Sequence, residues 1–297
     1  MFRRAQKSSR KRHLDLHNPT ADLFVPDGRP ADAALARITH LGIGAHQDDL
    51  EFMAFEGIAA CYDSATHCFG GVACTDGAGS SRSGAFAQFT DQQMMARRRE
   101  EQRRAASLGR YGVMVQLDYP SRAAKDPADL RLTDDLRALL LETRPQVVYT
   151  HNLADKHDTH VAVGVRVVRA LRALPRDARP RAVHGCEVWR DLDWMLDGDK
   201  VVQDVGGHDA LGASLAGLFE SQIAGGKRYD LAVLGRRRAN ATFLESHGVD
   251  RSDAVAFAMD LTPLVEDDSL DVEAYVAGYI ERFRSDVIGR LRRQLGG

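Results

Sequence analysis

A strand that hands over to a helix through three ionisable residues constrains this chain more than any other feature. The apolar run 38–44 has the composition of a buried strand and residues 50–60 suit a helix; between them stand Ala45, His46, Gln47, Asp48 and Asp49. In open α/β sheets ligands bind at that edge, outside the carboxyl ends of the strands. A solvated turn would carry the same residues, so this turn alone decides nothing. A second cluster, 151–160, reads His-Asn-Leu-Ala-Asp-Lys-His-Asp-Thr-His; it leaves a strand expected at 146–150 and enters a helix expected at 161–174. One parallel sheet would bring the two clusters to a common edge. Histidines and carboxylates gathered in that way point to a metal site.

The rest of the chain supports that architecture. Strands are expected at 68–74, 113–117 and 182–189, and helices at 91–108 and 132–143, the second stopped before Pro145. Alternation of this kind predicts a parallel sheet with helices on both faces. The 91–108 helix is dense in Arg and Glu and reads mostly as a solvated face. From 211 onward the chain is helical in character, with segments at 211–223, 229–243 and 275–295; the last carries an apolar stripe through Tyr279, Ile280, Phe283, Val287 and Leu291, suited to a core or an oligomer contact. Residues 1–34 read as a basic, disordered arm and lead-in, with order setting in near Leu23-Phe24-Val25, and 35–297 as one domain.

Composition excludes several classes. A net charge of −2 over 297 residues gives no global field for nucleic acid, and no apolar run approaches the ~20 residues of a membrane span. The expected partner is therefore a small molecule. Arg3, Arg4, Lys7, Arg10, Lys11 and Arg12 are followed by no apolar core of a secretory signal. Cys61, Cys68, Cys74 and Cys186 form no CxxC pair and read as free thiols of a cytoplasmic protein.

Ala-His-x-Asp-Asp after the first strand and His-x-x-His opening a later helix resemble the LmbE-like, or PIG-L, family of zinc-dependent N-deacetylases. Thr75-Asp76-Gly77 and an Arg-x-x-Glu-rich helix ending in Leu108-Gly109 extend the likeness. It implies a Rossmann-like three-layer α/β sandwich with a mostly parallel sheet. It also implies Zn²⁺ as cofactor, and an amino-sugar-containing substrate of N-acetylglucosamine type from which an acetyl group is removed. On the matching positions His46, Asp49 and His160 are metal ligands, two imidazoles and one carboxylate that leave one position open. Asp48 is then the base that takes a proton from water, or, in the plainer reading, a helix N-cap. His157 stabilises the oxyanion and, if charged, protonates the leaving amine.

The Gly- and Ser-rich loop 76–84 is read as a substrate cover, with Asp76 and Arg82 as candidate contacts; of the arginines on the charged helix, Arg97 is the better-spaced match to Leu108-Gly109 for the one the family places near substrate, with Arg98 one register away. Gln47 stands where proline is commoner, Ser121 where relatives are acidic, and Thr159 where an aspartate braces the first histidine. Asp155 and Asp158 are the alternative braces for His157. Two rival readings are an amidase acting on a larger sugar conjugate and a non-catalytic sugar-binding or scaffold protein. The retained Asp48 speaks against the latter, because a binding module needs no base.

Overall fold

The computed structural model describes residues 14–296, so the basic stretch up to Arg12 lies outside the described residues. Its chain order is β1 (Asp22–Phe24), α1 (Ala31–Ala36), β2 (His40–Gly44), α2 (Asp49–Met53), α3 (Phe55–Tyr62), β3 (Phe69–Thr75), α4 (Asp91–Leu108), β4 (Val113–Tyr119), α5 (Ser121–Lys125) and α6 (Arg131–Thr143). There follow β5 (Val147–His151), α7 (Asp158–Arg172), β6 (Ala182–Cys186), β7 (Lys200–Asp204), α8 (Asp209–Ala216), α9 (Glu220–Ile223), α10 (Tyr229–Phe243), β8 (Val255–Asp260), α11 (Thr262–Glu266) and α12 (Val272–Leu295). The strands form one sheet in the order β1-β4-β3-β2-β5-β6-β8-β7. The run from β4 to β6 is parallel, whereas β1 and β8 pair antiparallel to their neighbours.

Strands β2, β3, β4 and β5 are buried along their whole length because helices cover both faces, which is why most of their residues are apolar. One packed cluster joins Ile43, Val72 and Val115 to Leu136, Leu140, Val163 and Val167; a second joins Leu50, Phe55 and Ile58 to Phe69, Tyr111 and Tyr149. The chain leaves β2 for β3 and β4 on one side, then returns for β5 on the other. The reversal falls between β2 and β5, which pair directly through His40↔Val147, Leu41↔Val148 and Gly42↔Tyr149. Their carboxyl ends open side by side at the crevice where such sheets bind ligands.

Three expectations need correction. The lead-in belongs to the sheet: β1 pairs with β4, and the His17 ring bonds Asp135 at 2.7 Å, so packing begins well before residue 35. The helix expected at 50–60 is two helices broken at Ala54, whose φ of −102° and ψ of 21° leave the helical region. The C-terminal part is not helical throughout, since β8 inserts between β6 and β7 and completes the sheet.

Candidate functional site

The turn after β2 is shaped by close packing and by strain. A Cβ at Gly44 would come within 3.0 Å of the Asp49 Cβ, so the glycine lets the first turn of α2 lie against the strand end. Asp48 takes φ 94° and ψ −30°, a left-handed conformation that costs an L residue about 1–2 kcal/mol and that Asp tolerates better than most. It occupies the N-cap position of α2 but makes no side-chain cap bond. Its carboxylate instead faces Arg98, 3.2 Å away and buried on α4. The Gln102 side chain accepts from the Asp48 backbone N–H at 3.1 Å, and Arg98 also donates to the Gln47 carbonyl. The Gln47 amide, buried, donates to the Thr75 carbonyl at 3.1 Å and pins the turn to the end of β3.

Three ligand-type side chains converge beside this turn. His46 Nδ1 lies 3.3 Å from Asp49 Oδ2, His160 Nε2 lies 3.4 Å from Asp49 Oδ1, and the two imidazole nitrogens are 3.3 Å apart. His46, Asp49 and His160 are the group of the described residues whose donor atoms lie close enough together to hold a metal ion. Burial by itself would raise the Asp49 carboxyl; His160 and His151 outweigh it and hold the group well below the usual carboxylate range. Asp48 goes the other way, pushed up to about 6 by burial against the pull of Arg98. His160 is raised despite its burial because Asp49 and Asp155 stabilise its charged form.

The turn after β5 holds its residues by ordinary bonds. Asp155 Oδ1 accepts the His157 backbone N–H at 2.9 Å, and Oδ2 accepts the Trp189 N–H at 3.1 Å and faces His160 Nδ1 at 3.7 Å. Asp155 is thus the carboxylate behind His160, whose Nδ1 makes no hydrogen bond. Neither it nor the exposed Asp158 bonds the His157 ring, so the expected brace for His157 is not there. His157 is half-buried; burial and then His160 and His46 lower its pKa, and its Nδ1 is buried without a partner.

A cleft of about 780 Å³ opens over these groups, with His46, Asp48, Asp49, His157 and Arg98 at its lining. Of the loop 76–84, Gly77, Gly79, Ser80 and Ser81 border the cleft. Asp76 and Arg82 do not line it: Asp76 accepts from the Ala78 N–H, and Arg82 is drawn to Asp91 at 2.5 Å. Arg97 is likewise displaced from its expected place. Its guanidinium pairs with Glu101 and Glu220, and Arg98, one position on and so about 100° around the helix, is the α4 arginine that lines the cleft.

Sequence reasoning passed over several participants. His151 is fully buried, accepts the Ala45 N–H at 2.9 Å and stacks on His160 with ring centroids 3.8 Å apart. Trp189, Tyr229 and Phe52 form an aromatic wall, with 5.6 Å between the Trp189 and Tyr229 rings. Trp189 closes the apolar run 182–189, so its place at the carboxyl edge was a usable signal. The buried triad Glu51, Gln102 and Tyr111 left none, because its bonds of 2.7 and 2.8 Å join residues about fifty or more positions apart. A larger groove, about 870 Å³, lies away from this chemistry between α7 and α12.

Comparison with known proteins agrees with this picture. The profile of the PIG-L family, described as GlcNAc-PI de-N-acetylase, matches residues 41–171, a span that begins in β2 and ends in α7 and so holds both turns. No curated protein sequence gives a significant match. Among solved structures, a conserved protein of Thermus thermophilus is 20% identical over 75% of this chain and 94% of its own, with a TM-score of 0.55. The N,N'-diacetylchitobiose deacetylase of Pyrococcus horikoshii is 16% identical over 74% and 83%, also at 0.55. The 4-carboxy-2-hydroxymuconate hydratase of Pseudomonas putida is 18% identical over 75% and 95%, at 0.54. At these identities the structures establish the shared fold.

Proposed function

Since residues 41–171 carry a PIG-L family domain, we propose that this chain is a zinc-dependent hydrolase that removes an N-acetyl group from an amino-sugar-containing substrate. One observation carries the reading: three ligand side chains converge beside the cleft while a fourth group, Asp48, lines it next to them, making no cap bond and facing Arg98. Zinc bonds of ~2.0–2.2 Å in tetrahedral geometry separate neighbouring ligand atoms by about 3.3–3.6 Å. The 3.3 Å between the His46 and His160 nitrogens matches one edge of that polyhedron, and Asp49 stands at the same scale from both, through Oδ2 at 3.3 Å from His46 and Oδ1 at 3.4 Å from His160.

When bound there, the metal would supply Lewis acidity, polarising an amide carbonyl and acidifying water toward a pKa of ~7. The chain's own groups do the rest. Asp48, held by Arg98, takes a proton from the attacking water. His157, which burial and its neighbouring imidazoles hold toward the neutral form, faces the cleft to bond through a ring N–H the oxyanion that develops on the amide oxygen, and the proton that Asp48 took passes to the departing amine. Asp155 stands behind His160, and the Trp189–Tyr229 wall offers apolar faces to a sugar ring. Water and amide become acetate and a free amine.

The hydratase on the same fold shows that architecture alone does not choose the reaction. The deciding experiment incubates the zinc-loaded protein with a panel of N-acetylated sugars and glycoconjugates, and measures acetate and primary amine together. Equimolar release of both, abolished in Asp48→Asn, is the expected result. Amine released without acetate would favour the amidase reading on a larger conjugate, and no release across the panel with zinc bound would count against a hydrolase.

A further inference from the structure

Away from the cleft, exposed apolar surface is concentrated on one element. Of the twelve large apolar side chains exposed among the described residues, six belong to α12: Ile280, Phe283, Val287, Ile288, Leu291 and Leu295. Steps of three and four from 280 through 295 put most of them along one side of the helix. This half of α12 is anchored to the body by Phe283, whose ring lies 6.2 Å from Trp194, and by the Arg282–Asp199 pair. At the start of the same helix the 870 Å³ groove is lined by Leu153, Val161, Val165, Val168, Val276 and Ile280, with Glu273 on its border.

We infer that α12 pairs antiparallel with α12 of a second copy of this chain, each helix seating its Leu291–Leu295 end against the other's groove. A 24-residue helix is about 36 Å long, so its apolar end cannot reach the groove at its own start. A twofold pairing satisfies both grooves at once, since each patch is matched by the other copy's.

Charge selects this partner. Residues 266–281 hold Glu266, Asp267, Asp268, Asp271, Glu273 and Glu281 and no Lys or Arg, while 290–293 hold Arg290, Arg292 and Arg293 and no carboxylate. Several of these are already engaged: Asp268 with Arg179, Glu281 with Arg284, Arg290 with Asp286. Glu273 at one end and Arg292 and Arg293 at the other have no ion-pair partner among the described residues, and antiparallel docking brings the opposite signs together. Arg169 and Arg172 stand on the α7 wall of the groove, where Arg172 is tied to the carbonyls of Leu264 and Leu270. An anionic lipid surface would attract the basic end, but it would also meet Glu281 and Asp286 and would leave the concave groove unfilled.

Light scattering on the full chain across a concentration series tests the pairing, with vesicle co-sedimentation beside it. The native chain should be dimeric. Leu291→Glu, at a position already exposed, should keep the native far-UV spectrum and be monomeric. Glu273→Arg alone, or Arg292→Glu with Arg293→Glu, should weaken the dimer several-fold, and all three together should restore it because each altered end meets its altered counterpart. A native chain that stays monomeric, a Leu291→Glu variant that stays dimeric, or a combined swap no tighter than its parts would overturn the inference. So would native binding to phosphatidylcholine–phosphatidylserine vesicles that Leu291→Glu abolishes.

Discussion

The turn after β2 and the turn after β5 meet at the same cleft, leave parallel neighbours and open helices, yet they are held differently. The first keeps Asp48 at φ 94° and is clamped from outside by Arg98 and Gln102 of α4. The second sets His157 at φ −101°, ordinary extended backbone, and is held from within by the nearby Asp155. Backbone strain persists only where surroundings over-determine it, and it gathers at working sites. The contrast sets the proposed base, Asp48, on the strained residue, while the candidate ligands come from both turns, His46 and Asp49 from the first and His160 from the second.

The largest effect expected from this contrast is on turnover. Asp48→Asn keeps the shape, tolerates the left-handed backbone and cannot take a proton. It should lower turnover by ~10²–10⁴-fold, the usual contribution of a general base, in a steady-state acetate-release assay. Turnover near that of the native chain would remove Asp48 from the mechanism.

A middle-sized effect belongs to the relaxed turn. Asp155→Ala frees the His160 ring and should weaken zinc binding by ~10–100-fold, as loss of a group behind a metal ligand does, and competition with a chromophoric chelator reads it directly. An unchanged affinity would mean that stacking on His151 alone orients His160. Asp158→Ala, at an exposed neighbour in the same turn, should change nothing in that assay.

The smallest effect is on stability. Asp48→Ala should be less stable than Asp48→Asn by ~1–2 kcal/mol in denaturant melts, because alanine lacks the polar side chain that eases a left-handed residue. Equal stabilities would show that the clamp, rather than the residue, absorbs the strain.

The same contrast explains how much could be read beforehand. Both turns were legible because their signals are local: an apolar run, a burst of ionisable residues, then helix-forming sequence. So was α4, whose start is fixed by a capping box between Thr90 and Gln93. What the sequence hid was which charges α4 buries. Arg98, Glu101 and Gln102 are buried and serve Asp48, Ser221 and Glu51, partners about 50 to 120 residues away, yet in sequence they look like any solvated charge run. The choice of Arg97 over Arg98 failed for that reason, since a step of one residue turns a side chain to another face. Strand β8 was missed because its short run stands between helical segments and its partner β6 lies some seventy positions earlier.

The central claim is that two adjacent carboxylates have unlike tasks, Asp49 binding metal and Asp48 not. Zinc content after equilibrium dialysis of the native chain, Asp48→Asn and Asp49→Asn tests it most directly. The account predicts about one zinc per chain in the first two and marked loss in the third, with far-UV spectra unchanged because the buried sheet rather than the metal holds the fold. Stoichiometric zinc in Asp49→Asn, or its loss in Asp48→Asn, would contradict it.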